Sequence, residues 1–241
     1  MTAKNQIYTA IDTGDINHAC HLIKILSPYT GIKLGLEFFN AFGPQGIETV
    51  LKKSPDAQLF IDLKYHDIPN TVAGAIKSIC TNFTPSYLNV HASGGRAMME
   101  AAANACQTAS NGQTKLLAVT VLTALSDEDL SEIGYKEDGT ASRVKALAVL
   151  TRQCGLDGVV CSSHEIQTLR QACGDDFTLM VPGIRPAGSH AGDQKRVMEP
   201  QQTLQLGATH LVIGRPITQS PDPVKAAQDI INTLHIRHSC D

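Results

Sequence analysis

The chain has no tryptophan, and aromatic residues make up only 5% of it, an absence that excludes little. Other absences exclude more. No apolar run approaches the length needed to span a bilayer, and Met1–Gln6 lacks the features of a secretory signal, so the expected setting is cytoplasmic, away from a membrane. Neither sign of charge dominates. Twenty basic against 23 acidic residues leave a net charge of −3, which gives no reason to expect nucleic acid or a membrane surface as partner. There is no CxxC pair; seven cysteines, an odd number, read as reduced intracellular thiols. His18, Cys20 and His21 lie close in sequence, as do His235, His238 and Cys240. Neither group offers four convergent ligands, so both read as polar positions on exposed helices and no metal is expected. Low-complexity segments, strong internal repeats and a visible domain boundary are also missing.

What is present is a strict alternation. The 241 residues, 42% hydrophobic, suffice for one large core or two small ones. Strands are expected at Gln6–Asp12, Gly31–Glu37, Gln58–Lys64, Tyr87–Ala92, Lys115–Thr123, Gly158–Cys161, Thr178–Pro182 and His210–Arg215. Helices are expected from Asp15, with Asp15 as N-cap, at Pro44–Lys53, at Asn70–Asn82 opened by Pro69, and from near Gly94. Further helices follow at Asp127–Ile133, Ser142–Gln153, Ser163–Ala172 and Pro223–Leu234. Several strands are apolar at nearly every position, as parallel strands covered by helices should be. Eight such units point to a single (β/α)₈ barrel domain spanning 1–241, a fold that typically needs ~250 residues. A doubly wound sheet is the alternative; no GxGxxG follows the first strand to support it.

In such a barrel the active site lies at the carboxyl ends of the strands. Those ends carry Asp12, Lys33, Asp62 with Lys64, His91, Thr123, Pro182–Arg185 and Gly214–Arg215. The strand period of two puts Phe60, Asp62 and Lys64 on one face and Ile61 and Leu63 on the other. The same parity turns Asp12 and Lys33 away from the aliphatic faces. Asp67 follows in the next loop. An isolated DxK would be read as a structural ion pair, and a lone Lys33 as a snorkelling side chain. Charges of alternating sign converging on one mouth are expensive to desolvate and poorly explained by packing, so the set reads as a catalytic array. Each charge favours the ionised form of its neighbour: Lys64 as an acid, Asp62 as a fixed negative charge.

The chain's last third reads as a phosphate grip. VPGIR (Val181–Arg185) enters a long loop, about 184–199, that carries Gln194; the eighth strand ends in IGRPIT. Loops after the seventh and eighth strands are the usual phosphate site of these barrels. Gly214 allows close backbone approach and Arg215 a bidentate charge, while the long loop reads as a lid. For Arg215 alone the plain alternative is a surface ion pair, and for the loop a tolerated insertion.

DLKYHDIPNT, the PGIRP…GDQ loop and IGRPIT together resemble the orotidine 5′-phosphate decarboxylase family of bacterial type, from Ala10–Asp12 to the IGRPIT stretch. The resemblance implies a cofactor-free homodimeric barrel that converts orotidine 5′-phosphate to UMP and CO₂ in pyrimidine biosynthesis. It implies a Lys33-Asp62-Lys64-Asp67 array, with Lys64 as proton donor to C6. Asp67 and Thr71 correspond to residues lent to the neighbouring subunit's site. Asp12 and Lys33 match ribose-binding positions, and Thr123 one beside the pyrimidine. Arg185, Gln194, Gly214 and Arg215 match the phosphate grip. The family often has Ser directly after the VLT threonine, where this chain has Ala124, with Ser126 two positions on; which hydroxyl reads the base stays open. Thr71, or Asn70, also has a plain reading as cap of the third helix. Two rival functions share the scaffold: a metal-dependent sugar-phosphate lyase or decarboxylase, and a non-catalytic nucleotide-binding barrel.

Overall fold

Alternation of inward and outward side chains along parallel strands is what shapes this molecule. The structure, a computed structural model, describes residues 6–135, 139–186 and 198–235. Its strands are β1 (Ile7–Ile11), β2 (Gly31–Leu34), β3 (Leu59–Tyr65), β4 (Tyr87–His91), β5 (Lys115–Val119), β6 (Gly158–Val160), β7 (Thr178–Val181) and β8 (His210–Ile213). They pair in sequence order, all parallel, and β1 closes on β8 to complete a barrel. Around it lie α1 (Ile16–Leu26), α2 (Leu36–Lys53), α3 (Pro69–Phe83), α4 (Gly95–Ser110), α5 (Asp127–Glu132), α6 (Gly139–Gln153), α7 (Ile166–Cys173), α8 (Pro200–Gln205), α9 (Arg215–Thr218) and α10 (Pro223–His235). This is the expected (β/α)₈ barrel. No helix among the described residues is long and apolar enough to cross a membrane.

Two apolar layers follow from the parity. Ile7, Ile11, Ile32, Leu34, Ile61, Leu63, Leu88 and Val90 face outward and pack with the helices into one large core. Tyr8, Ala10, Phe60, Tyr87, Leu117, Met180 and Val212 face inward and fill the barrel. Gly31 makes room for one of them: a Cβ there would come within 2.5 Å of the Tyr8 ring. Asp15 caps α1 as expected, accepting the N–H groups of Asn17 and His18 at 2.8 and 3.2 Å.

The element boundaries differ in instructive places. The alternating pattern at Gly31–Glu37 predicts a strand to Glu37, but β2 stops at Leu34 and Leu36 begins a helix, half exposed at 51%. The expected helix at Pro44–Lys53 is only the second half of α2; Gly43, at φ +58°, breaks the helix before Pro44. β5 ends at Val119 instead of Thr123, and β8 at Ile213, with Arg215 opening the short α9. Neither Asn70 nor Thr71 caps α3: the N-cap is Ile68, with no side-chain cap bond, and Pro69 stands at the first helical position.

Candidate active site

At the carboxyl end of the barrel the inward columns change from apolar to charged. Each column is a strand's own continuation: Tyr8 and Ala10 lead to Asp12, Gly31 to Lys33, Phe60 to Asp62 and Lys64. Above the Ala10, Phe60 and Val212 floor opens a cavity of about 510 Å³. Asp12, Lys33, Asp62, Lys64, Thr123, Arg185, Gly214 and Arg215 all line it. Eight of the sequence-predicted residues, drawn from the end of β1, from β2 and β3, and from the segments after β5, β7 and β8, therefore meet around one space.

The charges form a chain. Lys33 Nζ lies 3.4 Å from Asp12 Oδ1 and 3.3 Å from Asp62 Oδ2. Lys64 Nζ donates to the other Asp62 oxygen, Oδ1, at 2.7 Å. Signs alternate through Asp12, Lys33, Asp62 and Lys64, so every carboxylate has an ammonium neighbour. Gly35 makes this crowding feasible, since a Cβ there would sit 3.1 Å from the Lys33 ammonium. Asp62 is 8% exposed. Burial alone pushes its carboxyl up, but the Lys33 and Lys64 charges, with hydrogen bonds from Lys64 and Asn89, outweigh burial and hold it below the usual carboxylate range. Its neighbour on the rim, His91, is pushed down by burial and by His66 and Lys64, against a small opposing pull from Asp62.

The opposite wall comes from the loops after β7 and β8. Arg185 is 8% exposed, and its guanidinium donates to the Ile184 carbonyl at 2.9 Å. A parallel bridge between Ile184 and Met198, with the Arg185 N–H on the Met198 carbonyl at 3.1 Å, ties the two ends of the long loop together. Gln194 and most of the 184–199 loop lie outside the described residues. Gly214 stands at the N-terminus of α9 with φ −107° and ψ −105°, so left-handed backbone is not what calls for glycine there.

Thr123 and Ser126 separate clearly. Thr123 lines the cavity. Ser126 is the N-cap of α5, bonded to the Asp129 carboxylate at 2.8 Å in a capping box, so its hydroxyl serves the helix. Asp67 and Thr71 are exposed and do not line the cavity of their own chain. Asp67 accepts the Ile68 N–H at 2.6 Å, and among the described residues Lys64 pairs with Asp62 alone. Within one chain, therefore, the Lys-Asp-Lys part of the array assembles without its last member. The sequence reading missed Gln219, which lines the cavity from the end of α9, and Asn89, a buried β4 residue bonded to Asp62. Among the described residues no cluster of three or more His, Cys, Asp or Glu could hold a metal ion; His18 and His21 are exposed while Cys20 turns into the core.

A model described as the Orotidine 5'-phosphate decarboxylase / HUMPS family matches residues 5–230. The chain belongs to this family. Relatives named orotidine 5'-phosphate decarboxylase include one from Moorella thermoacetica, 48% identical over 236 residues that cover 95% of this chain and 92% of the relative. Another, from Rhodospirillum rubrum, is 48% identical over 236 residues, covering 96% and 94%. The crystal structure of orotidine 5'-phosphate decarboxylase from Lactobacillus acidophilus is 32% identical, with a TM-score of 0.83 over 97% of this chain and 100% of that one. The family's barrel is thus the one that carries the charged cavity described above.

Proposed function

We propose that this cavity binds orotidine 5′-phosphate and releases UMP and CO₂ without a cofactor. The observation that carries the reading is the Asp12–Lys33–Asp62–Lys64 chain on one wall, facing the basic β7 and β8 loops across a single mononucleotide-sized space. Loss of CO₂ from C6 leaves an electron pair in the ring plane, where the π system cannot accept it. The barrier must then fall through fixed charge near that carbon. Lys64, pinned to Asp62, lies beside C6, stabilises the developing carbanion and protonates it. Asp62, kept ionised by its two lysines, sits where the departing carboxylate leaves and disfavours the charged substrate group more than neutral CO₂.

Binding is divided among the remaining groups. Asp12 and Lys33 hold the ribose hydroxyls, and Thr123 reads the pyrimidine edge, Ser126 being engaged in its helix cap. Arg185, Gly214 and Arg215 grip the phosphate, with Gln194 spanning phosphate and base. Phosphate binding, remote from the reacting carbon, contributes energy that orders the site. Asp67 and Thr71 of a second copy complete the site in a homodimer. Their exposure beside Ile68, itself 66% exposed, supports this.

A metal-dependent lyase would instead use the acidic residues on a cation. Lys33 standing between Asp12 and Asp62 favours the metal-free reading, because its ammonium already occupies the space between the carboxylates. The test follows orotidylate by its ultraviolet absorbance in the presence of EDTA. Turnover should persist, and Lys64→Ala should lower it by about 10³-fold or more while UMP affinity changes little. Loss of activity on chelation, or a Lys64→Ala variant that keeps most of its rate, would overturn the reading.

A further inference from the structure

β3 and β4 stay in register as far as Ile61 opposite Leu88 and resume at Tyr65 opposite Val90. Between those pairs Asp62, Leu63 and Lys64 face a single residue, Asn89. The strand carrying both charged groups is therefore bulged at the point where they sit. Lys64 takes a left-handed φ of +50°, uncommon for a residue with a side chain. A bulge also takes backbone groups out of the ladder, and the Lys64 N–H is one of them. It donates to Asn89 Oδ1 at 2.8 Å.

Asn89 is fully buried, and its other amide atom is committed as well. Nδ2 donates to Asp62 Oδ1 at 2.7 Å, the same oxygen that receives the Lys64 ammonium. Chemistry fixes which way round the amide sits: a backbone N–H can only donate, and an ionised carboxylate can only accept. One side chain thus ties the backbone of Lys64 to the carboxylate of Asp62. It does so from beneath, since Asn89 does not itself line the cavity.

We propose that Asn89 is a positioning residue for the Asp62–Lys64 pair, acting through the bulge. It holds Lys64 in its left-handed conformation and turns the Asp62 carboxylate so that Oδ1 meets the ammonium and Oδ2 remains for Lys33. Misplacement of a reacting group by about an ångström lowers rates by about 10²-fold, so the effect should fall on the chemical step and not on binding. The proposal rests on the reading of Lys64 and Asp62 as the reacting pair.

Two variants test it beside the wild type. Asn89→Ala removes both bonds. Asn89→Asp keeps an acceptor for the Lys64 N–H but sets a second carboxylate against Asp62. For both, kcat for orotidylate should fall by about 10²-fold while the dissociation constant for UMP stays within about threefold. Asn89→Asp should also recover rate on the acid side, where the new carboxyl takes up a proton and can donate to Asp62; the wild type should show no such rise. A wild type inactive on orotidylate would sink the functional reading itself. An active wild type with variants of unchanged kcat would overturn the role of Asn89 alone. So would variants that lose kcat and UMP affinity in equal proportion, or that both fail to fold.

Discussion

Asp62 is the residue on which the charge balance turns. Buried and flanked by Lys33 and Lys64, it stays ionised against the pull of desolvation, and each lysine has a buried counterion because of it. Parity along three strands made this group readable: the period of two places Asp12, Lys33, Asp62 and Lys64 inward without knowledge of the fold. Asn89 was not readable in the same way. Its role depends on a bulge in β3, and a polar residue in an apolar run gives no sign of a bulge on the neighbouring strand. Arg215 offers a second test at this scale. Arg215→Ala should weaken orotidylate turnover by roughly 10²-fold, yet hardly change turnover of the nucleoside lacking phosphate; equal losses on both would place Arg215 outside the phosphate grip. His210 makes a pH prediction. Burial, with Lys115 adding to it, pushes the imidazole from 6.5 down to about 4, while its Nε2 meets the Tyr87 hydroxyl at 3.2 Å. The native state thus resists protonation that the unfolded chain accepts. Stability should be complete above pH 6.5 and decline by about 3 kcal/mol as pH falls toward 4. Denaturant melts of the wild type and His210→Gln at pH 7 and pH 5 should show the variant losing less on acidification.

At the scale of elements, local pattern gave the right kind of segment more readily than the right ends. Ile32, Leu34 and Leu36 alternate as strand residues do, yet the backbone turns helical after Gly35, and Leu36 emerges into solvent. Nothing in a period of two marks where pairing with the next strand stops. The apolar run at Lys115–Thr123 has the same ambiguity: its last three residues, Val121, Leu122 and Thr123, lie beyond the strand and form a cavity wall, which puts Thr123 at the site. Ser126 and Thr123 are near equivalent as sequence, and only the capping box of α5 tells them apart. Close strand approach is a further property of elements. At Gly158 of β6 a Cβ would fall 2.1 Å from the Thr178 carbonyl oxygen of β7, so backbone must move to admit one. Gly158→Ala should destabilise the protein by about 3 kcal/mol in chemical denaturation, with little change in UMP affinity for the fraction that folds. A variant as stable as the wild type would show that β6 and β7 can separate at that point.

For the molecule as a whole, counting strand–helix units led to the barrel, whereas the pairing that closes it, β1 with β8, joins the two ends of the chain and is visible only in three dimensions. Assembly poses the same difficulty, because Asp67 and Thr71 lie outside their own cavity. If they serve a neighbour, inactive Lys64→Ala and Asp67→Ala chains refolded together should regain about a quarter of wild-type activity, since half the dimers are mixed and each carries one intact site. No recovery would place Asp67 in its own subunit's site.

The aromatic layer inside the barrel has one more effect. Tyr8, Phe60 and Tyr87 meet edge to face, with His210 against Tyr87, between the reaction cavity and a small hollow at the barrel's other end. That stopper turns a tube into a cup. In the proposed reaction, CO₂ released at the charged wall meets this aromatic stopper on one side, so among the described residues its way out is the rim of the same cavity that holds the nucleotide.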